Sequence, residues 1–186
     1  MNGEVWVLDA SAFVRLIRPE AESAVLRGWV RQRHFASSAL LRTEARRAFA
    51  HDDAATRRRC ERLLAATHMV DLASSVLDSA GRMPGRHLRS LDAIYLACAM
   101  EIGDDLGGLV SYDARQIAAA GALGVATASP GASSTAWLAD HRHEVLGEGG
   151  DLSVDVAGTA GQVDRDRVEF RAEVRHGDGG EMQRHV

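Results

Sequence analysis

Short apolar runs alternate with longer segments of helical periodicity along the first two thirds of the chain. Because each run is short and nearly continuous, it predicts a buried strand. The runs lie at residues 5–9 (VWVLD), 34–37 (HFAS), 69–72 (MVDL), 106–113 (LGGLVSYD, a loop and then a strand) and 125–129 (VATAS). Runs this apolar, with little alternation, are typical of strands that are covered on both faces of a parallel sheet.

Between these runs, apolar residues recur every three or four positions, which predicts helices. The predicted helices cover about residues 11–17, 21–33, 39–51, 54–66, 74–82, 88–103 and 114–124. The clearest of them is LRSLDAIYLACAMEIG, for which Ser90 is the expected N-cap. Alternation of strands and helices predicts an α/β fold with a central parallel sheet and helices on both faces. In such folds, binding sites form at the carboxyl ends of the strands.

The pattern changes after Gly131. We expect a short helix at about 133–144, followed by the alternating segments 152–156 (LSVDV) and 168–174 (VEFRAEV), as a hairpin or as a disordered tail. The chain therefore divides into a main domain, residues 1–131, and a C-terminal extension, residues 132–186. Two roles remain open for the extension: a small regulatory or dimer-supporting element, or sequence with no dedicated role.

The net charge of −4 is unevenly distributed along the chain. Residues 1–131 hold 16 arginines and 15 acidic residues, whereas residues 132–186 hold 6 arginines and 11 acidic residues. The main domain is thus nearly neutral, and its charge does not exclude a nucleic-acid substrate. All 22 basic residues are arginine, which excludes a Walker phosphate loop and a Schiff-base enzyme, because both require lysine.

Cys60 and Cys98 lie far apart and in apolar helical patterns, as expected of free thiols in the cytoplasm. The eight histidines form no H-x-x-x-H zinc pattern. There is no visible signal peptide and no apolar stretch long enough for a membrane helix. The sequence therefore predicts a cytoplasmic protein without membrane contact.

Four acidic residues stand at the ends of predicted elements or on helices: Asp9, Glu44, Asp92 and Asp113. Each has an ordinary structural explanation. Asp9 and Asp113 are placed to cap helices, Asp92 favours the dipole of its helix, and Glu44 can pair with Arg47. Ser11 is an alternative cap that would free Asp9. Taken together, acids from several elements of a doubly wound sheet suit one site for a hard divalent cation.

The motifs around these acids resemble those of the PIN-domain ribonucleases, especially the VapC-type toxins of bacterial toxin–antitoxin systems. The motifs VWVLDASAF, SSALLRTEARRAF, LRSLDAIYLACA, LVSYDAR and GVATASPG occur in the order and spacing of that family, over roughly residues 4–131. LRSLDAIYLACA followed by SYDAR is the most specific pair. Residues 132–186 depart from the family, because VapC-type chains usually end near the SPG-like motif.

The resemblance implies a PIN-like three-layer α/β/α fold and a metal-dependent endoribonuclease. Asp9, Glu44, Asp92 and Asp113 then correspond to the catalytic acids that bind Mg²⁺, with Mn²⁺ also possible. Metal-activated water would cut RNA to leave a 5′-phosphate and a 3′-hydroxyl. Ser11 and Ser111 match small hydroxyl residues that support the acids. The resemblance also implies a cognate antitoxin protein and a homodimer.

RNA binding requires positive charge near the acids, and the candidates are Arg15, Arg86, Arg89 and Arg115. Each of them has the alternative of an ordinary surface ion pair. The run Arg57–Arg59 fits a solvated helix face. Tyr95 and Tyr112 could stack on bases, although the core is the favoured location for both. The alternative function is a PIN-like module that binds RNA or protein without cleavage.

Overall fold

The computed structural model describes residues 4–85 and 88–132, together with the backbone of residues 152–153 and 173–174. Its main sheet has five strands, as the sequence predicts. They are β1 (Val5–Leu8), β2 (His34–Ser38), β3 (His68–Val70), β4 (Leu106–Val110) and β5 (Thr127–Ala128). Each strand lies within or overlaps one of the predicted apolar runs.

Seven α-helices connect the strands, at the positions that the periodicity predicts. They are α1 (Ala10–Ile17), α2 (Ser23–Val30), α3 (Leu41–Ala48), α4 (Ala54–Ala66), α5 (Ser74–Arg82), α6 (Ser90–Glu101) and α7 (Ala114–Ala122). The expected N-cap of α6 is wrong. Arg89 occupies that position without a side-chain hydrogen bond, and Ser90 is already helical. The carboxylate of Asp92 instead accepts from the backbone N–H of Arg89, one turn back.

All neighbouring strands of the main sheet are parallel, in the order β3-β2-β1-β4-β5. The chain moves outward from β1 through β2 to β3 and then returns to the other side of β1 to form β4. The strand order thus reverses between β1 and β4, and such a reversal opens a crevice at the carboxyl ends of the two strands. Asp9 directly follows β1, and Ser111, Tyr112 and Asp113 follow β4.

Helices cover both faces of the sheet. On one face, Trp6 and Leu8 of β1 contact apolar side chains of α1 and α2, including Trp29, whose ring meets that of Trp6 edge to face at 5.0 Å. On the other face, Val7 of β1 and Leu109 of β4 contact α6 and α7. The three-layer α/β/α fold class is therefore confirmed.

Beyond the main sheet, Leu152–Ser153 pairs antiparallel with Glu173–Val174. Both pairs lie within the segments for which the sequence predicts a hairpin. The helix expected at 133–144 lies outside the described residues. Within the described part of the chain, no helix is long and apolar enough to cross a membrane.

Candidate functional site

Asp9 is buried at the crevice between β1 and β4, with 3% of its surface exposed. Because it is the last residue before α1, its Oδ1 accepts from the backbone N–H of Ala12 at 2.8 Å and caps that helix. The expectation that Ser11 would cap the helix in its place is wrong. The Ser11 hydroxyl donates to the Asp9 carboxylate, with oxygen–oxygen distances of 2.7 and 2.9 Å.

Ser111 joins the ends of the two central strands. Its hydroxyl donates to Asp9 Oδ2 at 2.6 Å and accepts from the backbone N–H of Asp113 at 3.0 Å. The Ser11 hydroxyl likewise accepts from the backbone N–H of Tyr112 at 2.9 Å. The two serines therefore connect the first acid to the loop that carries the fourth, and they fix the orientation of the Asp9 carboxylate.

Asp113 caps α7, as its position in the sequence suggests. Its Oδ1 accepts from the backbone N–H groups of Arg115 and Gln116 at 2.9 and 3.4 Å. Its Oδ2 lies 3.7 Å from a guanidinium nitrogen of Arg115. Capping and proximity to the other acids are not exclusive, because the helix begins at the crevice.

Glu44 lies on α3 and is half-buried, but its partner is not the expected Arg47. The hydroxyl of Tyr95 donates to Glu44 Oε2 at 2.6 Å. Tyr95 is 2% exposed, and its ring belongs to the core formed by α1, α3 and α4. A buried tyrosine of α6 thus holds an acid of α3 in place. The sequence contained one indication of this role, since Tyr95 follows Asp92 by three positions and so shares its helix face.

Asp92 completes the group from the first turn of α6. Its Oδ2 is buried and has no hydrogen-bond partner among the described residues. An unpaired buried carboxylate oxygen is unfavourable unless a ligand satisfies it. This orphaned oxygen is the one polar atom of the four acids that is buried and unsatisfied within the described part of the chain.

The charges of the four acids act on one another in pairs: Asp113 acts on Asp9 and on Asp92, and Asp92 acts on Glu44. The pKa of Asp9 is raised from 3.8 to about 6, chiefly by burial and to a lesser degree by the charge of Asp113, against the hydrogen bonds from Ser111, Ala12 and Ser11. Burial and then the charge of Asp113 raise the pKa of Asp92. Burial raises the pKa of Glu44, and the charge of Asp92 adds to this against the Tyr95 hydrogen bond. Each of the four predicted acids is thus close enough to at least one other for their charges to interact.

Their oxygens do not form a finished metal cage. Among residues 4–85 and 88–132, no three His, Cys, Asp or Glu side chains are arranged to hold a metal ion as they stand. The donor set nevertheless suits a hard divalent cation, because every donor is a carboxylate oxygen. The orphaned oxygen of Asp92 and the raised pKa values fit a missing positive charge.

The arginines that the sequence singled out differ in their surroundings. Arg15 lies over the ring of Tyr112, 4.3 Å from its centroid, and pairs with Glu20 and Glu22 at 3.1 and 3.5 Å. Arg89 and Arg115 lie close enough to Asp92 for their charges to lower its pKa. Arg86 lies outside the described residues.

Both tyrosines are core residues, as expected. Tyr112 is 5% exposed, and its hydroxyl donates to the carbonyl oxygen of Pro130 at 2.6 Å. Tyr95 is 2% exposed and bound to Glu44. Neither ring therefore presents a free face for stacking on a base.

Comparison with known proteins agrees with this geometry. The PIN domain family model matches residues 6–122. Ribonuclease VapC46 of Mycobacterium tuberculosis (strain ATCC 25618 / H37Rv) is 44% identical over 124 residues, which is 66% of this chain and 95% of the relative. Ribonuclease VapC35 of the same strain is 36% identical over 129 residues, 67% of this chain and 96% of the relative. Ribonuclease VapC47 of strain CDC 1551 / Oshkosh is 34% identical over 131 residues, again 67% of this chain and 96% of the relative. A family match of this extent, together with relatives of this identity and coverage, shows that the chain belongs to the PIN-domain family, with the VapC ribonucleases as its relatives.

Proposed function

We propose that the chain is a metal-dependent endoribonuclease that acts as the toxin of a toxin–antitoxin pair and inhibits translation. The observation that carries the proposal is the set of four electrostatically coupled acids, of which Asp9 and Asp113 lie at the strand-order reversal and Asp92 has an unsatisfied oxygen. The named activity of the VapC relatives supports the same function. The catalytic residues are then Asp9, Glu44, Asp92 and Asp113.

These four residues would also be the ligands of Mg²⁺, or of Mn²⁺. When bound, a divalent cation makes water more acidic and offsets the negative charge that builds up on phosphate oxygens. Asp92 has the least to give up on binding it, because its Oδ2 has no partner among the described residues. Ser11 and Ser111 are supporting residues that hold Asp9 in one orientation.

Positive charge beside the acids would hold the scissile phosphate group. Arg89 and Arg115 are the better placed of the candidates, since both already influence Asp92. Arg15 is engaged by two glutamates and by Tyr112, so it must leave those contacts to touch RNA. Arg15 and Arg86 stay RNA-binding candidates because they lie in or beside the motifs that carry the acids.

We further propose a cytoplasmic homodimer that is neutralised by a small antitoxin protein covering the site. Residues 1–131 would form the nuclease domain, and residues 132–186 an extension to it. The PIN domain family model matches residues 6–122 and the VapC relatives cover about two thirds of the chain, which supports this division. A role for the extension in regulation or dimerisation remains one of the two alternatives.

Induced expression followed by sequencing of RNA 5′ ends tests the nuclease function. The wild-type chain should produce new 5′-phosphate ends at defined positions, and Asp92→Asn should produce none. The purified wild type should make the same cuts with Mn²⁺ and stop when EDTA is added. If neither experiment yields new ends in the wild type, the nuclease function is refuted.

One observation favours the alternative of a binding module without cleavage, namely that no three side chains among the described residues already form a metal-holding group. The two functions differ in one measurable respect. A binding module retains RNA on a filter without shortening it in Mn²⁺, and its affinity is insensitive to Asp92→Asn. Cleavage that depends on both Mn²⁺ and Asp92 would exclude it.

Tyr95→Phe is expected to lower the cleavage rate about 10- to 100-fold, the range found when the outer partner of a metal ligand is removed. The change deletes only the hydroxyl that holds Glu44 at 2.6 Å, and the ring stays in the core. We also expect weaker Mn²⁺ binding in the absence of RNA, measured by electron paramagnetic resonance. Tyr112→Phe is the matched control, because its hydroxyl contacts Pro130 instead of an acid. Equal effects of the two variants on Mn²⁺ affinity would contradict the role given to Tyr95.

A further inference from the structure

Helices α3 and α4 carry an excess of positive charge. Residues 41–66 contain seven arginines and four acidic residues, although the described part of the main domain holds equal numbers of both. Two of the four acids are used elsewhere: Glu44 belongs to the proposed site, and Asp52 pairs at 2.9 Å with Arg18, which directly follows α1. The two helices therefore present a basic surface on a domain that is otherwise acidic.

Four of these arginines are exposed and have no side-chain hydrogen bond, ion pair or ring contact within the part of the chain that the structure describes. They are Arg42, Arg47, Arg58 and Arg62. Most other arginines of the described residues have such a partner. For example, Arg33 lies over the ring of Trp29, and Arg59 donates to the carbonyl oxygen of Ile17. Arg31, which directly follows α2, and Arg82, the last residue of α5, also have no such partner among the described residues, and both lie outside α3 and α4.

The outer faces of α3 and α4 form one continuous surface. Arg46 of α3 binds Glu61 of α4 through two hydrogen bonds of 2.8 and 2.9 Å, which fasten the helices side by side. Arg42 lies one turn before Arg46, and Arg62 is the immediate neighbour of Glu61. The four unpartnered arginines thus flank a neutralised ion pair. We call them the α3–α4 arginine surface.

This surface begins at the acids. Arg47 follows Glu44 by three positions, so the two residues lie on the same side of α3, about one turn apart. Arg47 is therefore the arginine of this surface on the same side of α3 as the proposed site. Guanidinium groups suit an RNA backbone, because they bind phosphate oxygens in pairs and stay charged.

We propose that the α3–α4 arginine surface binds the sugar–phosphate backbone of single-stranded RNA beyond the cleaved bond. The proposal rests on the proposed ribonuclease function and adds to it the place where the substrate is held. Arg58 and Arg62, one turn apart on α4, contact phosphates farthest from the cleaved bond, and Arg47 contacts those next to it. The contacts are to phosphates only, so they contribute affinity without sequence preference.

Salt dependence of RNA binding tests the proposal directly. The full chain carries Asp92→Asn so that RNA is not cut, and binding of a fluorescein-labelled single-stranded RNA of mixed sequence is followed by anisotropy at several NaCl concentrations. The slope of log K against log salt is negative, and each lost phosphate contact reduces its magnitude by about 0.7. The pair Arg58→Gln and Arg62→Gln should therefore lower it by about 1.4, and so should Arg42→Gln with Arg47→Gln.

The matched control is Arg31→Gln with Arg82→Gln, which removes two unpartnered arginines that lie at the C-terminal ends of α2 and α5. Its slope should equal that of the parent. Equal slopes in all three pairs, or an equal loss in the control, overturn the proposal. Binding of poly-glutamate, a model for an acidic protein, is measured in the same way. If the arginine variants lose poly-glutamate binding but keep RNA binding, the proposal is overturned in favour of a protein partner. Cleavage of the same RNA by the wild type in Mn²⁺ is measured separately, so failure of the nuclease function is distinguishable from failure of this surface.

Discussion

Replacing Asp9 with asparagine is expected to reduce RNA cleavage by more than about 100-fold, since even outer partners of metal ligands contribute about 10- to 100-fold. The same change is expected to make the protein more stable at neutral pH. Asp9 is 3% exposed, and its charged form is disfavoured by burial. Asparagine has nearly the same shape and can still accept from the backbone N–H of Ala12. The Ser111 hydroxyl can then turn toward Gln116 Oε1, which lies 3.5 Å away.

The gain in stability should depend on pH. Burial raises the pKa of Asp9 in the folded state from 3.8 to about 6. At a pH below the pKa of the unfolded state, the carboxyl is protonated in both states, and the raised pKa of the folded state does not change the free energy of unfolding. As pH rises toward and through the folded value, the folded state must hold a buried charge, and stability is lost. A shift of this size corresponds to at most about 3 kcal/mol. The difference between Asp9→Asn and wild type should therefore grow from pH 4 to pH 7.

Urea unfolding in EDTA across this pH range measures the effect. Asp53→Asn is the matched control, because Asp53 also caps a helix but lies exposed at the start of α4. Hydrogen bonds from Thr56 and Ala55 lower the pKa of Asp53, so its contribution is present at neutral pH and is lost as pH falls. Asp53→Asn should thus destabilise the protein at pH 7 and leave cleavage intact. A destabilised Asp9→Asn whose deficit does not change with pH would contradict the burial account.

Gly108→Ala is expected to destabilise the protein by about 2–5 kcal/mol, combining steric overlap with backbone strain. Gly108 has φ of +147°, which a residue with a side chain rarely adopts. A Cβ atom there would lie 2.5 Å from the carbonyl oxygen of Ala126 and 2.8 Å from the ring of Trp6. That carbonyl accepts from Leu109 at 2.8 Å, so β4 and β5 would have to separate. Thermal and urea unfolding measure the loss.

Gly28→Ala provides the opposite sign in the same experiment. Gly28 is exposed within α2, and a Cβ atom there would meet nothing within 4 Å. The alanine should stabilise the protein by about 0.5–1 kcal/mol, because alanine favours helix more than glycine does. If Gly108→Ala were as stable as Gly28→Ala, the close approach of β4 to β5 and Trp6 would be wrong.

The positions of Asp9 and Asp113 could be predicted because the information is local. Two apolar runs end at these residues, and parallel strands bring their carboxyl ends to one edge. The partner of Glu44 could not be predicted in this way. Helical spacing indicates Arg47, but the structure gives Tyr95, which is 51 positions away in sequence. Only tertiary packing of α6 against α3 brings them together.

Two other details depended on the same kind of long-range information. The sequence indicates Ser11 and Ser90 as caps, because serine favours that position. Ser11 instead binds Asp9 and the loop after β4, a contact that exists only once the sheet has formed. The strain at Gly108 likewise follows from Trp6 of the neighbouring strand β1 and from Ala126, the residue directly before β5. Periodicity thus predicts where the helices and strands lie, whereas the hydrogen-bond partners of the acidic side chains depend on contacts between those elements.

The segment that follows β5 is hydrogen-bonded to the loop that follows β4. Ser129 donates to the carbonyl oxygen of Ser111 at 2.6 Å, and the carbonyl oxygen of Pro130 accepts from Tyr112 at 2.6 Å. Ala132 contacts the core beside them. A shortened protein should therefore stop after Ala132, because a stop codon before Pro130 would remove the anchor of Tyr112. A fluorescent protein fused directly after Ala132 would lie close to Pro130, whose carbonyl oxygen binds Tyr112 beside Asp113. Reporter fusions therefore belong at the N-terminus.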